Sequence, residues 1–306
     1  KSPLAKACGV VTGETLYQAR MKCPNLEVYP PLHGIYKEYS NSLYKLLLEY
    51  TDKIERFSID ECFLDMTEYL MDRNLLDIAY EINSRVKTEL GFTVNVGVAH
   101  NKLLAKMASD FQKPDRVHTL FEDEIKTKLW SLETRELFML GKKTAPVLYN
   151  MGIKTIGHLA NTDINILTKR FGKFGKMMWE YANGIDESPV NYLVEKAKSI
   201  GNSTTLPMDI TNIDKLYEVL FNLTENVTYR LRKEKLIAGT VSVQIRTNTF
   251  EDSSHQGKLL TPTANTVEIY EKAKEYHKAF DYYLLAKNAL GDEHPQYVTE
   301  LSKYLL

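Results

Sequence analysis

SIDECFLD, residues 58–65, is the stretch on which the reading of this chain turns. In a regular strand neighbouring side chains point to opposite faces, so Asp60 and Glu61 could not share a ligand there. The flanking residues offer another geometry. IERFSI (54–59) and CFLDM (62–66) are short and rich in β-formers, and they can pair as antiparallel strands with Asp60-Glu61 at the tight turn between them. Both carboxylates then project from one end of the sheet. Two carboxylates with room for phosphate oxygens form the usual seat for Mg²⁺, which keeps several waters and uses substrate phosphates to complete its octahedron. Two such ions, about 3.5–4 Å apart, lower the pKa of an attacking hydroxyl and stabilise a leaving pyrophosphate. A solvated acidic turn shows the same spacing, so the pair needs its surroundings.

Upstream, apolar residues recur at Ile35, Tyr36, Tyr39, Leu43, Leu46 and Leu47, the three-to-four spacing of an amphipathic helix between about Leu32 and Tyr50. Before it, Gly9, Gly13 and Pro24 break the opening segment into short pieces around a helical stretch near Glu14–Lys22. Downstream come a helix near Leu75–Leu90, the alternating strand FTVNVGVAH (92–100) and the helix NKLLAKMASDF (101–111). This order describes an α/β layer with one covered sheet. From about Glu122 to Asp186 the pattern is purely helical. ESPVNYLVEKAKS (187–199) reads as a connector. Beyond it a strand over Ser199–Leu206, a long helix over Ile213–Lys235, the strand TVSVQIRTNTF (240–250) and a helix from about Asn265 make a second, smaller α/β unit.

Composition sets the limits. At 306 residues, 43% hydrophobic and 26% charged, the chain reads as a globular protein of two or three domains. No apolar run approaches the roughly 18 residues that span a bilayer, and the start has no signal-peptide pattern, so membrane insertion and secretion are not expected. Three cysteines without CxxC spacing (Cys8, Cys23, Cys62) argue against a disulfide framework or a zinc site and fit a reducing compartment. The net charge is −1, yet residues 100–180 hold fourteen Lys/Arg against nine Asp/Glu. Such an excess suits a phosphate-tracking surface and equally suits solvated helices.

SIDECFLD closely resembles the SIDEAFLD box of Y-family DNA polymerases, the UmuC/DinB-type translesion class. VGVAHNKLLAKMASDFQKP (96–114) resembles that family's VGI..NK.LAK.AS...KP segment, and SPLAKACGV (2–10) resembles its UmuC-type fingers motif. The resemblance covers roughly residues 1–273 and is strongest over 57–114. It implies an α/β (α+β) multidomain fold of right-hand architecture: a remnant of fingers (1–32), palm (33–121), helix-hairpin-helix thumb (122–188) and small α/β little finger (189–273). The activity it implies is error-prone, template-directed nucleotidyl transfer in DNA damage repair and the SOS response, with two Mg²⁺ ions. Primed or damaged DNA and deoxynucleoside triphosphates would be the partners, with a sliding clamp expected by family analogy, in a bacterial-type, nucleoid-associated cytoplasmic setting.

Carried over residue by residue, Asp60 and Glu61 match the catalytic metal-binding carboxylates. Lys113 matches a lysine that contacts the incoming triphosphate, and Lys6 stands where many relatives have an arginine on the same phosphates. Pro3 replaces a phosphate-binding tyrosine of other branches. Lys102 and Lys106, one helical turn apart, could face template or primer phosphates or be ordinary surface charges. Ser58 and Asp65 read as supporting polar residues, and His100 as a strand-end surface residue. RELFMLGKKTAPVLYNMGIKTIGHLA (135–160) looks like a helix-hairpin-helix, a motif that offers backbone N–H groups to a DNA phosphate. Gly141, Lys142, Lys143 and Thr144 fit its turn and helix start, and Gly152-Ile153 its second cap. Met139 stands where the pattern prefers glycine. In 240–250, Val241, Val243 and Ile245 share one face. Ser242, Gln244, Arg246 and Asn248 share the other, and Ser242, Gln244 and Arg246 are candidate DNA contacts.

Two departures from the family pattern bear on activity. The family's first palm strand, with another catalytic Asp and an aromatic steric gate, precedes the point at which this sequence starts. Without that strand, little or no polymerisation by this chain alone is expected and one sheet edge is left unpaired. At the other end, residues 274–306 look like one tetratricopeptide-type helical hairpin rather than the strand that should close the little finger. Ala273, Tyr276, Ala279, Tyr282, Tyr283 and Ala286 carry its spacing, and Gly291 with Pro295 its turn. A catalytically inactive DNA-binding fragment of such a polymerase is the alternative. A helical interaction scaffold on residues 274–306 is a third reading, with too few repeats to compete.

Overall fold

The computed structural model describes residues 1–70, 73–193, 197–210, 212–276 and 300–305. The chain divides into two units, Lys1–Val194 and Glu195–Leu306.

The first unit opens with two short helices, α1 (Pro3–Ala7) and α2 (Leu16–Lys22). Ser2 caps α1, while Thr15 and Gln18 close a capping box on α2. Ala5, Val10 and Ala19 form a small core of their own, with Cys23 and Leu26 against it. Helix α3 (His33–Leu47) follows, then the hairpin of β1 (Ile54–Arg56) and β2 (Cys62–Leu64), helix α4 (Leu75–Arg85) and β3 (Val96–Val98). Helix α5 (Lys102–Asp110) leads to β4 (Val117–Thr119). Short helical turns over Glu122–Leu129 and Thr134–Glu136 and then four α-helices complete the unit: α6 (Thr144–Asn150), α7 (Ile156–Ala160), α8 (Ile164–Phe171) and α9 (Lys173–Ala182).

One core joins Leu43, Leu46 and Leu47 of α3 to Ile54 and to Ile78, Ile82 and Val86. The apolar spacing read from α3 is therefore only half used. Leu43, Leu46 and Leu47 are buried, while Ile35, Tyr36 and Tyr39 stay exposed. A second core runs from Leu103, Leu104, Met107 and Ala108 of α5 through Leu148, Ile156, Leu159 and Leu167 to Met178 and Ala182. Burying these side chains at about 1.5–3 kcal/mol each ties α5 firmly to the four helices that follow it.

The expectation of one covered sheet is corrected. β1 pairs antiparallel with β2, and β3 pairs parallel with β4, as two separate ladders. Among the described residues no strand hydrogen-bonds the two ladders together. β3 is also shorter than the alternation over 92–100 suggests, since it pairs only with the three residues of β4, and α5 crosses it closely. A Cβ at Gly97 would lie 1.9 Å from the carbonyl oxygen of Ala105.

The second unit is a four-stranded sheet covered on one face by two helices. Its elements are β5 (Asn202–Thr205), α10 (Ile213–Lys233), β6 (Ala238–Arg246), β7 (Asp252–Thr263), α11 (266–276) and β8 (Glu300–Leu305). The strand order is β5-β8-β6-β7. Val241, Val243 and Ile245 pack on Leu220, Leu223 and Val227 of α10 and on Ile269 and Ala273 of α11. The two-residue period of β6 places both faces as the sequence indicates. β7 carries no such alternation and lies at the sheet edge, where a polar strand containing Pro262 is tolerated.

The last segment needs a second correction. Residues 300–305, included in the helical hairpin read over 274–306, run as β8 between β5 and β6, which leaves the backbone groups of both neighbours paired. Ala273 and Tyr276, read as part of that hairpin, belong to α11 and pack in the core of this unit. Ala279, Tyr282, Tyr283, Ala286, Gly291 and Pro295 lie outside the described residues.

Candidate active site

The β1–β2 hairpin closes as its sequence requires. Arg56 pairs with Cys62, and the amides of Phe57 and Ser58 both donate to the Glu61 carbonyl at 3.0 and 3.1 Å. Asp60 and Glu61 therefore sit in the turn, not on opposite faces of a strand. Ser58 Oγ donates to Asp60 Oδ1 at 2.7 Å and accepts from the Asp60 amide at 3.3 Å, fixing the turn from within. Asp65 serves the far end of β2. It accepts from the Thr67 amide at 3.0 Å, and hydrogen bonds from Thr67 hold its carboxyl below the usual carboxylate range.

Both sides of the hairpin are anchored. Towards α3, the Arg56 guanidinium lies 5.0 Å above the Tyr44 ring and donates to Ser40 Oγ at 2.8 Å and Asn41 Oδ1 at 3.0 Å. Towards α5, Lys102 Nζ meets Glu55 Oε2 at 2.6 Å, and Lys106 Nζ meets Glu61 Oε1 at 2.6 Å. One helical turn further on, Asp110 lies 3.0 Å from Lys106 and 2.6 Å from Lys113. Burial works to lower the Lys106 pKa, but its hydrogen bonds to Glu61 and Asp110 outweigh that and raise it.

The placement of α5 follows from its N-terminus. The Asn101 side chain accepts from the Leu104 amide at 2.9 Å and donates to the Gly184 carbonyl at 2.8 Å, while Asp186 accepts from the Leu103 amide at 3.1 Å. The helix is thus capped by its own asparagine and by a residue more than eighty positions away. His100 is exposed beside the Phe121 ring.

The structure brings together some of the residues singled out from sequence and leaves others apart. Glu61, Lys106 and Lys113 share one rim through Asp110, while Asp60, next to Glu61 in the turn, is bonded to Ser58. Lys102 is drawn instead to Glu55 and to the Pro189 carbonyl at 3.2 Å. Lys6 is exposed on α1, and none of the ion pairs along this rim includes it. Gly141, Lys142 and Lys143 are exposed ahead of α6, with the Thr144 amide donating to the Gly141 carbonyl at 3.0 Å. Gly152 takes φ +81° and Ile153 is buried, which closes α6 and leads into α7. Residues 137–143 are not helical, so the hairpin of helices is α6 and α7 only. Met139 adopts φ +66°, the conformation for which its position favours glycine. In the second unit Ser242, Gln244 and Arg246 are half-buried on the face away from α10, and Arg246 forms a two-armed pair with Asp252 at 2.8 Å.

Sequence reasoning missed Glu55 and Asp110. For Asp110 the signal was present in the spacing, since Lys102, Lys106 and Asp110 recur every four residues on one face of α5, whereas nothing local points from Glu55 to Lys102, 47 residues away.

The impB/mucB/samB family matches residues 1–110, and that family's C-terminal domain matches residues 197–291. DNA polymerase IV of Clostridium acetobutylicum is 48% identical over 269 residues, covering 88% of this chain and 68% of that protein. DNA polymerase IV of Acetivibrio thermocellus is 41% identical over 278 residues, covering 90% and 70%. Among solved structures, a Y-family DNA polymerase chimera of Dbh and Dpo4 aligns with a TM-score of 0.81 at 25% identity, over 98% of this chain and 84% of that one. A structure described as the insertion ternary complex of Dbh DNA polymerase aligns at 0.63 and 25% identity, over 99% and 85%. Similarity that runs through both units and through the carboxylate hairpin itself makes this chain a member of the Y family of DNA-directed DNA polymerases, in its DNA polymerase IV branch.

Proposed function

We propose that the chain performs translesion synthesis by template-directed nucleotidyl transfer, with Asp60 and Glu61 as the carboxylates that hold divalent metal. The observation that carries this reading is the turn at 58–61. It carries two successive carboxylates, each with one oxygen engaged (Asp60 by Ser58, Glu61 by Lys106) and the other left for a ligand. The donor set suits Mg²⁺, a hard cation commonly bound through one or two carboxylates plus substrate phosphates. Among the described residues no group of three or more His, Cys, Asp or Glu side chains converges to hold a metal, so further ligands would come from outside this set, substrate phosphates among them. When bound, two such ions would activate the primer hydroxyl and stabilise the pyrophosphate.

The remaining roles belong to this chain's own side chains. Lys113, more than half exposed beside Asp110, would neutralise the incoming triphosphate, with Lys6 as a second cation. The exposed Lys142 and Lys143 would meet duplex phosphates, as would the polar face of β6. On this reading residues 33–121 act as palm, 122–188 as thumb and the sheet of the second unit as little finger. That one relative is described in an insertion ternary complex supports primed DNA and a nucleotide as the ligands.

Primer extension on a damaged and an undamaged template tests the reading. Asp60→Ala should abolish extension while affinity for primed DNA stays within about twofold. Extension by Asp60→Ala would remove the carboxylate assignment. DNA binding without extension by the unaltered chain, at any Mg²⁺ concentration, would favour a purely DNA-binding role.

A further inference from the structure

Asp110 is the last helical residue of α5, and both of its carboxylate oxygens are engaged. Oδ2 lies 3.0 Å from Lys106 Nζ and Oδ1 lies 2.6 Å from Lys113 Nζ. Because Lys106 also meets Glu61, charges alternate along the rim in the order Glu61, Lys106, Asp110, Lys113. An acidic side chain in the last turn of a helix faces the negative end of the helix dipole. No basic residue in that turn offsets it. Within the helix only the i, i+4 pair with Lys106 favours an aspartate at this position, and the second contact reaches beyond the helix to Lys113.

The backbone around Lys113 is fixed by other contacts. The Gln112 carbonyl lies 3.3 Å from His118 Nε2, the Arg116 amide donates to Asn95 Oδ1 at 3.1 Å, and Asp115 pairs with Lys87 at 2.6 Å. The Lys113 side chain is 55% exposed, and its ammonium is held by Asp110.

We propose that Asp110 is a positioning residue for nucleotide binding, acting through Lys113 and holding that ammonium in a set place relative to Glu61. This rests on the reading of Lys113 as the triphosphate lysine. An ammonium has three donors, so Asp110 occupies one and leaves the others for phosphate oxygens. The oxygen held by Lys106 keeps the aspartate from following Lys113 outward. A neutral residue at 110 would leave the Lys113 side chain free among its rotamers, and each nucleotide would then have to order it on binding.

The test is equilibrium binding of the templated deoxynucleotide to the full chain on a dideoxy-terminated primer with Mg²⁺, which needs no turnover. Asp110→Asn should weaken nucleotide affinity about fivefold, and Asp110→Glu should recover most of it. Lys113→Ala should weaken it at least as much, and Asp110→Asn added to Lys113→Ala should change nothing further. Affinity for the primed DNA alone should stay unchanged in every variant. Equal affinity of Asp110→Asn and the unaltered chain, or full additivity with Lys113→Ala, would overturn the inference while leaving the polymerase reading intact. No nucleotide binding by the unaltered chain would overturn both. If Asp110→Asn does not fold, acylation of the Lys113 amine read by mass spectrometry decides in its place. Lys113 shielded relative to Lys142 in the folded chain supports the inference, and equal labelling overturns it.

Discussion

Lys102 Nζ lies 2.6 Å from Glu55 Oε2, and the two side chains are only 17% and 16% exposed. The ammonium also rests 5.1 Å from the centre of the Phe63 ring. Glu55 accepts a further bond from the Asn191 amide at 2.6 Å, so one carboxylate joins the hairpin, α5 and the segment after α9. Truncating the lysine leaves that carboxylate with a single partner. We expect Lys102→Ala to lower stability by about 2 kcal/mol in urea unfolding. The salt dependence of DNA binding should keep its slope. A slope reduced by about 1 would instead place Lys102 on a phosphate.

Met139 holds φ +66° with its side chain 59% exposed. A left-handed conformation costs a residue with a Cβ roughly 1 kcal/mol, and this side chain buries little in return. Met139→Gly should therefore raise stability by up to about 1 kcal/mol, less the added entropy of the unfolded chain. A loss of stability on thermal or urea unfolding would show that the methionine makes up for its strain through packing.

Gly97 illustrates the opposite case. A Cβ there would lie 1.9 Å from the Ala105 carbonyl oxygen and 2.7 Å from the Ser109 amide, both backbone atoms of α5. Gly97→Ala must push α5 away from β3, at a cost of about 3 kcal/mol. Since Lys106 and Asp110 ride on α5, primer extension should fall even where the variant remains folded. An unfolding midpoint equal to that of the unaltered chain would contradict the close approach.

Glu124 gives a pH dependence of known sign. Burial acts to raise its pKa, but hydrogen bonds from Lys128, the Phe121 amide and Thr119 outweigh this and place it below the ordinary 4.5. The group binds its proton more weakly folded than unfolded, so its contribution is complete above about pH 4.5 and is lost as pH falls through the folded value. Glu124→Gln should lower stability by about 1 kcal/mol at pH 7, and the difference should shrink towards zero near pH 3. A difference that persists unchanged at pH 3 would assign the effect to shape rather than charge.

How much of this was legible in the sequence varied with the range of the interaction. The carboxylate turn could be read because strand, turn and strand all lie within residues 54–66 and each obeys a local rule. The apolar face of β6 could be read for the same reason. The lysines of α5 were visible as an i, i+4 pair, but their partners were not, since Glu55 and Glu61 lie 47 and 45 residues away. β4 and β7 escaped notice because three residues are too few for a period and an edge strand needs no apolar face. The helical spacing of residues 273–286 was extended too far along the chain, since residues 300–305 pair as a strand with β5 and β6.

The carboxylate hairpin has a consequence for the order in which the site assembles. Its last pair, Arg56 with Cys62, closes a loop of a few residues, whereas the cations of α5 must be brought in across a loop about seven times longer. Loop closure costs entropy in proportion to the logarithm of length, so the acidic half of the site can form early and the basic half must wait for α5 to dock on its core. During folding there is then an interval in which the two acidic side chains stand together without their counter-charges. On the proposed reading of Asp60 and Glu61 as metal-holding carboxylates, a divalent cation present in that interval would also act on the rate of folding.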